Sequence, residues 1–293
     1  MGGSATLVAV AWLTTEHHLH DDEHTGLTHV VTIDRPHRHE SLERPPVIVC
    51  LDGAWTTGTI RDATRSMSMS REAPEAVVVG VWFDEPSMGA YLRARAQYYT
   101  PTGWVPPAET GVKGVTAADT GKADAYRAFL RHQVLPLVDD EIPVGERWLF
   151  GHSFSGLFGL HTLFNEPSLF DRYLLASPSI WWHDRSILDA EQAWADANDD
   201  LPAAVFLSSG GIESSAEFND DRFRMGGNVD DLCERLVGRR YPGLSLTRAT
   251  LAGESHNSTV GAAVSVGLRA LFAPSTVTLA DEMSTTSVTP LSP

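Results

Sequence analysis

The sequence predicts an α/β fold, with a mostly parallel central sheet and helices on both of its faces. Three observations predict it. Short runs rich in β-branched and aromatic residues recur along the chain, and most are too apolar to leave one face in water, as expected of strands buried in a parallel sheet. Longer amphipathic segments alternate with them, which implies βαβ units. The 293 residues are 42% hydrophobic and 20% charged, enough apolar material for one large core.

In chain order, the first strand-like run is THVVTI (28–33), followed by PVIVCL (46–51) and a helix candidate at 59–73. AVVVGVWF (76–83) comes next, then a stretch at 84–120 rich in Gly and Pro that carries Tyr91, Tyr98, Tyr99 and Trp104. A loop of that length inside a compact domain is usually functional. A helix at 121–140 contains Pro136, which is expected to kink it or end it early. Thereafter strands RWLFG (147–151), RYLLAS (172–177), AAVFLSS (203–209) and LSLTRATL (244–251) are followed by helices at 154–166, 186–197, 227–239 and 259–272. This divides the chain into a polar, His-rich extension (1–27), a single domain (28–272) and a Ser/Thr-rich tail (273–293) expected to be disordered.

Composition narrows the function. A net charge of −16 argues against nucleic acid, which needs a basic footprint, and against an anionic membrane surface. No run approaches the ~20 apolar residues of a membrane span. The apolar patch near the N-terminus has no basic residue before it, so a secretory leader is not expected. The two cysteines, Cys50 and Cys233, show no disulfide pattern, and a cytoplasmic, reduced protein is expected. The cluster EHHLHDDEH (16–24) has metal-ligand side chains, but not at a zinc spacing; it is read as a solvated segment, and no metal is assigned.

The stretch that carries chemistry is GHSFSG (151–156). Ser153 follows Gly151 at the spacing of a G-x-S-x-G nucleophile elbow, whereas the second glycine falls one place late, at Gly156, and Ser155 stands in its slot. A strand runs into this turn and a helix pattern leaves it, the context the elbow requires. The slot at 155 demands a small side chain, which Ser satisfies. The competing reading makes Ser153 a helix N-cap.

A serine hydroxyl needs a base, and in elbow folds the order along the chain is Ser, acid, His. His256, in the polar loop LAGESHNSTVG after the last strand-like run, is the one histidine in that place. The acid is expected after AAVFLSS, where Glu213 comes first, ahead of Glu217, Asp220 and Asp221. An oxyanion hole would take one backbone N–H from Phe154 and a second from Gly53, Ala54 or Trp55 in CLDGAWTTG. Arg93 and Arg95 are candidates to meet an anionic substrate.

The blocks VIVCLDGAW, GHSFSGLFGLHTLFNEPSLFDRYLLASPSIWW, RAQYYTP and GESHNST resemble the enterochelin-esterase-like branch of the α/β-hydrolases, in the esterase D group, over about residues 28–272. The resemblance implies Ser153 as nucleophile, His256 as base and an oxyanion contribution from the LDG-x-W turn. It singles out Trp181 and Trp182 as an aromatic wall for the substrate. This chain departs from the family's pattern at Ser155 and Asn257, both commonly Gly, and at Tyr98, often acidic. The expected activity is hydrolysis of a small-molecule carboxylic ester, a siderophore trilactone being the favoured class, with no cofactor. The alternatives are an acyltransferase, which would share every catalytic residue, and a siderophore-binding protein without turnover. Oligomeric state is not legible in the sequence.

Overall fold

The computed structural model describes residues 12–36, 43–110, 112–213 and 223–272. The expected tail at 273–293 lies outside the described residues, as do Glu217, Asp220 and Asp221. Eight strands form one sheet in the order β1-β2-β4-β3-β5-β6-β7-β8. They are β1 (Trp12–Asp21), β2 (Leu27–Pro36), β3 (Val47–Leu51), β4 (Val77–Phe83), β5 (Arg147–His152), β6 (Arg172–Ala176), β7 (Ala203–Gly210) and β8 (Leu244–Leu251). From β4 through β8 every pairing is parallel; β1 and β2 pair antiparallel with each other, and β2 with β4. This is the mostly parallel α/β-hydrolase sheet, with an antiparallel hairpin along one edge.

Alternation along the central strands fills two cores. Val47, Val49, Leu51, Leu149, Tyr173, Leu175, Val205 and Leu207 point to one face. It is covered by α2 (Met88–Tyr98), α3 (Ala123–Phe129), α4 (Leu135–Glu141), α5 (Phe154–Asn165), α6 (Ile187–Ala197) and α7 (Met225–Arg239). Ile48, Cys50, Trp148, Phe150, Leu174 and Phe206 point to the other, under α1 (Gly53–Ser70) and α8 (Thr259–Phe272).

Three segments differ from their sequence expectation. The polar stretch expected as an N-terminal extension supplies β1, whose 10 residues pair with β2 from Trp12↔Pro36 to Asp21↔Leu27. Its polarity is that of an edge strand: His18 is exposed and reaches Glu16 and Asp84, and His17 meets Glu141. Such charged edges resist pairing with another sheet. Among the described residues no group of His, Cys, Asp or Glu is arranged to hold a metal ion. The stretch 84–120, read as a loop, contains α2. At Pro136 the helix neither ends nor simply kinks. Leu130–Val134 widens into a π turn, and α4 follows on a continuous helical backbone, with Pro136, which has no N–H to donate, just past the widened turn.

β3 is flanked by β4 on one side and β5 on the other, so the direction of chain travel across the sheet reverses there. In open α/β sheets the crevice at the carboxyl ends of strands at such a switch point is where ligands bind.

Candidate active site

Ser153 stands between β5 and α5 with φ 61° and ψ −117°, a left-side conformation that a serine adopts only under constraint. The constraint comes from both sides. Its N–H donates to Ala176 O (3.1 Å), and its carbonyl accepts from Ser179 N–H (3.1 Å). A Cβ on Gly151 would sit 2.3 Å from the Ser155 carbonyl oxygen, and one on Gly156 3.0 Å from the Cα of Pro178, so both glycines serve close approach. The Ser153 side chain makes no capping bond to α5. That disposes of the N-cap reading and leaves the hydroxyl turned outward.

It meets an imidazole. Ser153 Oγ lies 2.9 Å from His256 Nε2, and His256 Nδ1 lies 2.5 Å from Glu213 Oε1. These residues follow β5, β8 and β7. The last two strands pair in parallel, so their exit loops are neighbours, and Ile212 N–H donating to Glu254 O (3.1 Å) stitches one loop to the other. Glu213 is 1% exposed, and its second oxygen accepts from Ser177 Oγ (2.8 Å) and Gly210 N–H (2.5 Å). A carboxylate so buried needs these donors.

His152 packs against the base, with ring centroids 4.7 Å apart, and its Nε2–H donates to the His256 carbonyl (2.7 Å). Burial, reinforced by the neighbouring His256 and Arg95, pushes its pKa well below the usual histidine range. A neutral imidazole therefore props the loop that carries His256.

The other sequence candidates fall differently. Phe154 begins α5, where a first-turn N–H has no intrahelical acceptor, and it lines the cavity. The Trp55 N–H is engaged, donating to Asp52 O (2.8 Å); this removes it as an oxyanion donor and leaves the amides of Gly53 and Ala54 in the first turn of α1. The Trp55 ring, 48% exposed, forms part of the cavity wall instead. Trp181 also lines the cavity, whereas Trp182 is fully buried, its indole N–H on Thr102 O (3.1 Å), and is core rather than wall. Arg95 borders the cavity, but its guanidinium grips Asp52 with two bonds of 2.8 and 2.9 Å, so its charge is already matched. Arg93 is exposed and is not part of the wall.

Sequence reasoning missed Asp52, Tyr91, Ser177 and Ser179. Asp52, at φ 57° before α1, accepts from Tyr91 OH (3.0 Å), Arg95 and Ser155 Oγ (2.8 Å). Ser179 Oγ is 3.3 Å from Ser153 Oγ. The signals were present in the LDG and SPS triplets, but polar residues at a strand end look alike until the fold brings their partners in.

The cavity above Ser153 measures about 730 Å³. Trp55, Phe154, Trp181, Phe223 and Met225 give it apolar walls, and Arg95, Glu109, His152 and Asn257 give it polar ones. That is the size and mixed character of a small-molecule site.

Comparison with known proteins identifies the family. The profile of the family described as Putative esterase matches residues 25–211. The chain is 30% identical over 250 residues to the siderophore triacetylfusarinine C esterase of Aspergillus fumigatus, covering 78% of this chain and 81% of that one. It is 26% identical over 273 residues to the ferri-bacillibactin esterase BesA of Bacillus subtilis, covering 89% and 90%. Among solved structures, the BES protein from Bacillus cereus superposes with a TM-score of 0.75 at 25% identity, over 93% of this chain and 99% of that one.

Proposed function

Since the chain belongs to the putative esterase family, and within it to the enterochelin-esterase-like branch of ester hydrolases, we propose that it cleaves siderophore lactone esters through an acyl-enzyme on Ser153. The observation that carries the serine mechanism is the unbroken hydrogen-bonded chain Ser153–His256–Glu213 opening onto the cavity.

In this reading Glu213 accepts the Nδ1–H of His256 and so leaves Nε2 free to take the Ser153 proton. Ser153 Oγ attacks the ester carbonyl. The tetrahedral oxyanion is held by the Phe154 N–H and by one amide from Gly53 or Ala54. The intermediate collapses as the imidazolium protonates the departing alkoxide, and a water activated by His256 then releases the acid and restores Ser153. The aromatic wall of Trp55 and Trp181 and the cavity volume support a substrate larger than a simple acetyl ester.

The test is fluorophosphonate labelling with peptide mapping, beside Ser153→Ala and His256→Ala variants. The expected result is a label on Ser153 that both variants lose, together with hydrolysis of trilactone esters. A folded wild type that takes no label would overturn the serine reading. Product analysis with added alcohols separates hydrolysis from acyl transfer, since a transferase would yield the new ester.

A further inference from the structure

Ser155 occupies the motif position where a glycine is usual, and it does more there than fit. Its side chain is completely buried between β5 and the start of α1. Its hydroxyl oxygen accepts the backbone N–H of His152 (2.9 Å), the residue immediately before the nucleophile. The hydroxyl has one proton and two acceptors in reach, Asp52 Oδ2 (2.8 Å) and the His152 carbonyl (2.9 Å); the charged carboxylate is the stronger acceptor, so Ser155 donates to Asp52. Asp52 in turn immediately precedes Gly53 and Ala54, and its backbone lies in the left-handed region that turns the chain into α1. One hydroxyl thus joins the backbone of the nucleophile elbow to the residue that launches the second oxyanion strap. A glycine in this slot has no atom with which to make the link. Arg95, bonded to Asp52, also reaches the elbow, through a long contact from its Nη2 to His152 O (3.4 Å).

We propose that Ser155 is a positioning residue which, through Asp52, sets the distance between Ser153 and the amides of Gly53 and Ala54. The proposal rests on the reading of Ser153 as nucleophile. Its consequence is kinetic. A loosened strap leaves the ground-state complex nearly intact but misplaces a donor that acts on the charge developing in the transition state, so kcat suffers and KM does not. An error of about 1 Å in such a group costs on the order of 100-fold in rate, so a partial loosening is expected to cost about 10-fold.

The experiment compares wild type with Ser155→Ala, Ser155→Gly, Asp52→Asn and the Asp52→Asn/Ser155→Ala double variant. It uses p-nitrophenyl butyrate turnover, normalised by fluorophosphonate titration of active sites, with thermal unfolding measured in parallel. The expected result is a kcat about 10-fold lower in both Ser155 variants, KM within about 3-fold, and a double variant no slower than Asp52→Asn alone. Ser155 variants with wild-type kcat per titrated site would overturn the proposal, and so would losses that multiply in the double variant. Variants that merely lose stability, or fail to fold, would overturn it in favour of a packing role. A wild type that takes no label would instead sink the serine mechanism itself, and this proposal with it, so the two failures are distinguishable.

Discussion

Glu213 illustrates how a residue's role is set by the number of its partners. Its carboxylate accepts from the His256 imidazole, the Ser177 hydroxyl and the Gly210 N–H, all donors. Glu213→Gln would place an amide NH₂ among them, so one donor must face another. The relief open to the imidazole is to shift its proton to Nε2, where it can no longer accept from Ser153. The expected outcome is a kcat lower by about 10³–10⁴-fold with unfolding temperature little changed. It would be measured as ester turnover beside a melting curve, and a loss under 10-fold would remove Glu213 as the orienting acid. Chain order alone points to Glu213; nothing in ESSAEFNDD distinguishes it from the acids that follow until the β7–β8 pairing is known. Trp182 shows the opposite case. It shares a dipeptide with Trp181, yet one ring faces the cavity and the other the core, a difference set by the turn that follows β6.

Among the elements, α2 lends the cavity wall Leu92 and Arg95. Its Arg95 is buried beneath Trp55 and Phe154, with the guanidinium 5.7 and 5.6 Å from their ring centres, and it is closed by the paired bonds to Asp52. Arg95→Met keeps the apolar stem but strands the Asp52 carboxylate without its countercharge, which costs roughly 3–5 kcal/mol. Urea unfolding is expected to show that loss, and Asp52→Asn in the same chain to recover part of it. A change under about 1 kcal/mol would mean that Tyr91 and Ser155 alone satisfy Asp52. This helix escaped the sequence reading because 84–120 is crowded with Gly and Pro at both ends. The periodic stretch between them is held by Tyr91, Ala94 and Tyr98 packing on the sheet rather than by a strong apolar stripe.

Across the whole molecule, the antiparallel edge carries an acid-sensitive group. His29 on β2 is fully buried, stacked on Phe129 with ring centroids 4.0 Å apart and hydrogen-bonded to Thr25 Oγ1 (2.8 Å). Burial lowers its pKa from 6.5 to about 4. Between those values the unfolded chain binds a proton that the folded chain refuses, so unfolding free energy rises with pH there. This contribution is complete above pH 6.5 and is lost as pH falls toward 4. The shift corresponds to about 3 kcal/mol at most. Chemical unfolding at pH 7 and pH 4.5 is expected to show the loss in wild type and to show it diminished in His29→Gln. An unchanged slope in that variant would assign the acid sensitivity to other groups.

What the sequence determined by itself is local. Apolar runs set the strands from β3 through β7 within a residue or two, because a strand buried on both faces is mostly apolar. The glycines around Ser153 marked the elbow, because only a residue without Cβ fits where α5 crosses the end of β5. Chain order then makes His256 and Glu213 the candidates for base and acid. What only the tertiary structure decided depends on partners distant in sequence. β1 became a strand because β2 offered it an edge. Trp55 lost its N–H as an oxyanion candidate because Asp52, just ahead of α1, offers it a carbonyl. Ser155 ceased to be a small filler because Asp52, 103 positions away, came within 2.8 Å of its hydroxyl. A hydrogen bond between such residues costs the chain a long loop closure, and the entropy of that closure is offset only by the packing of the whole sheet.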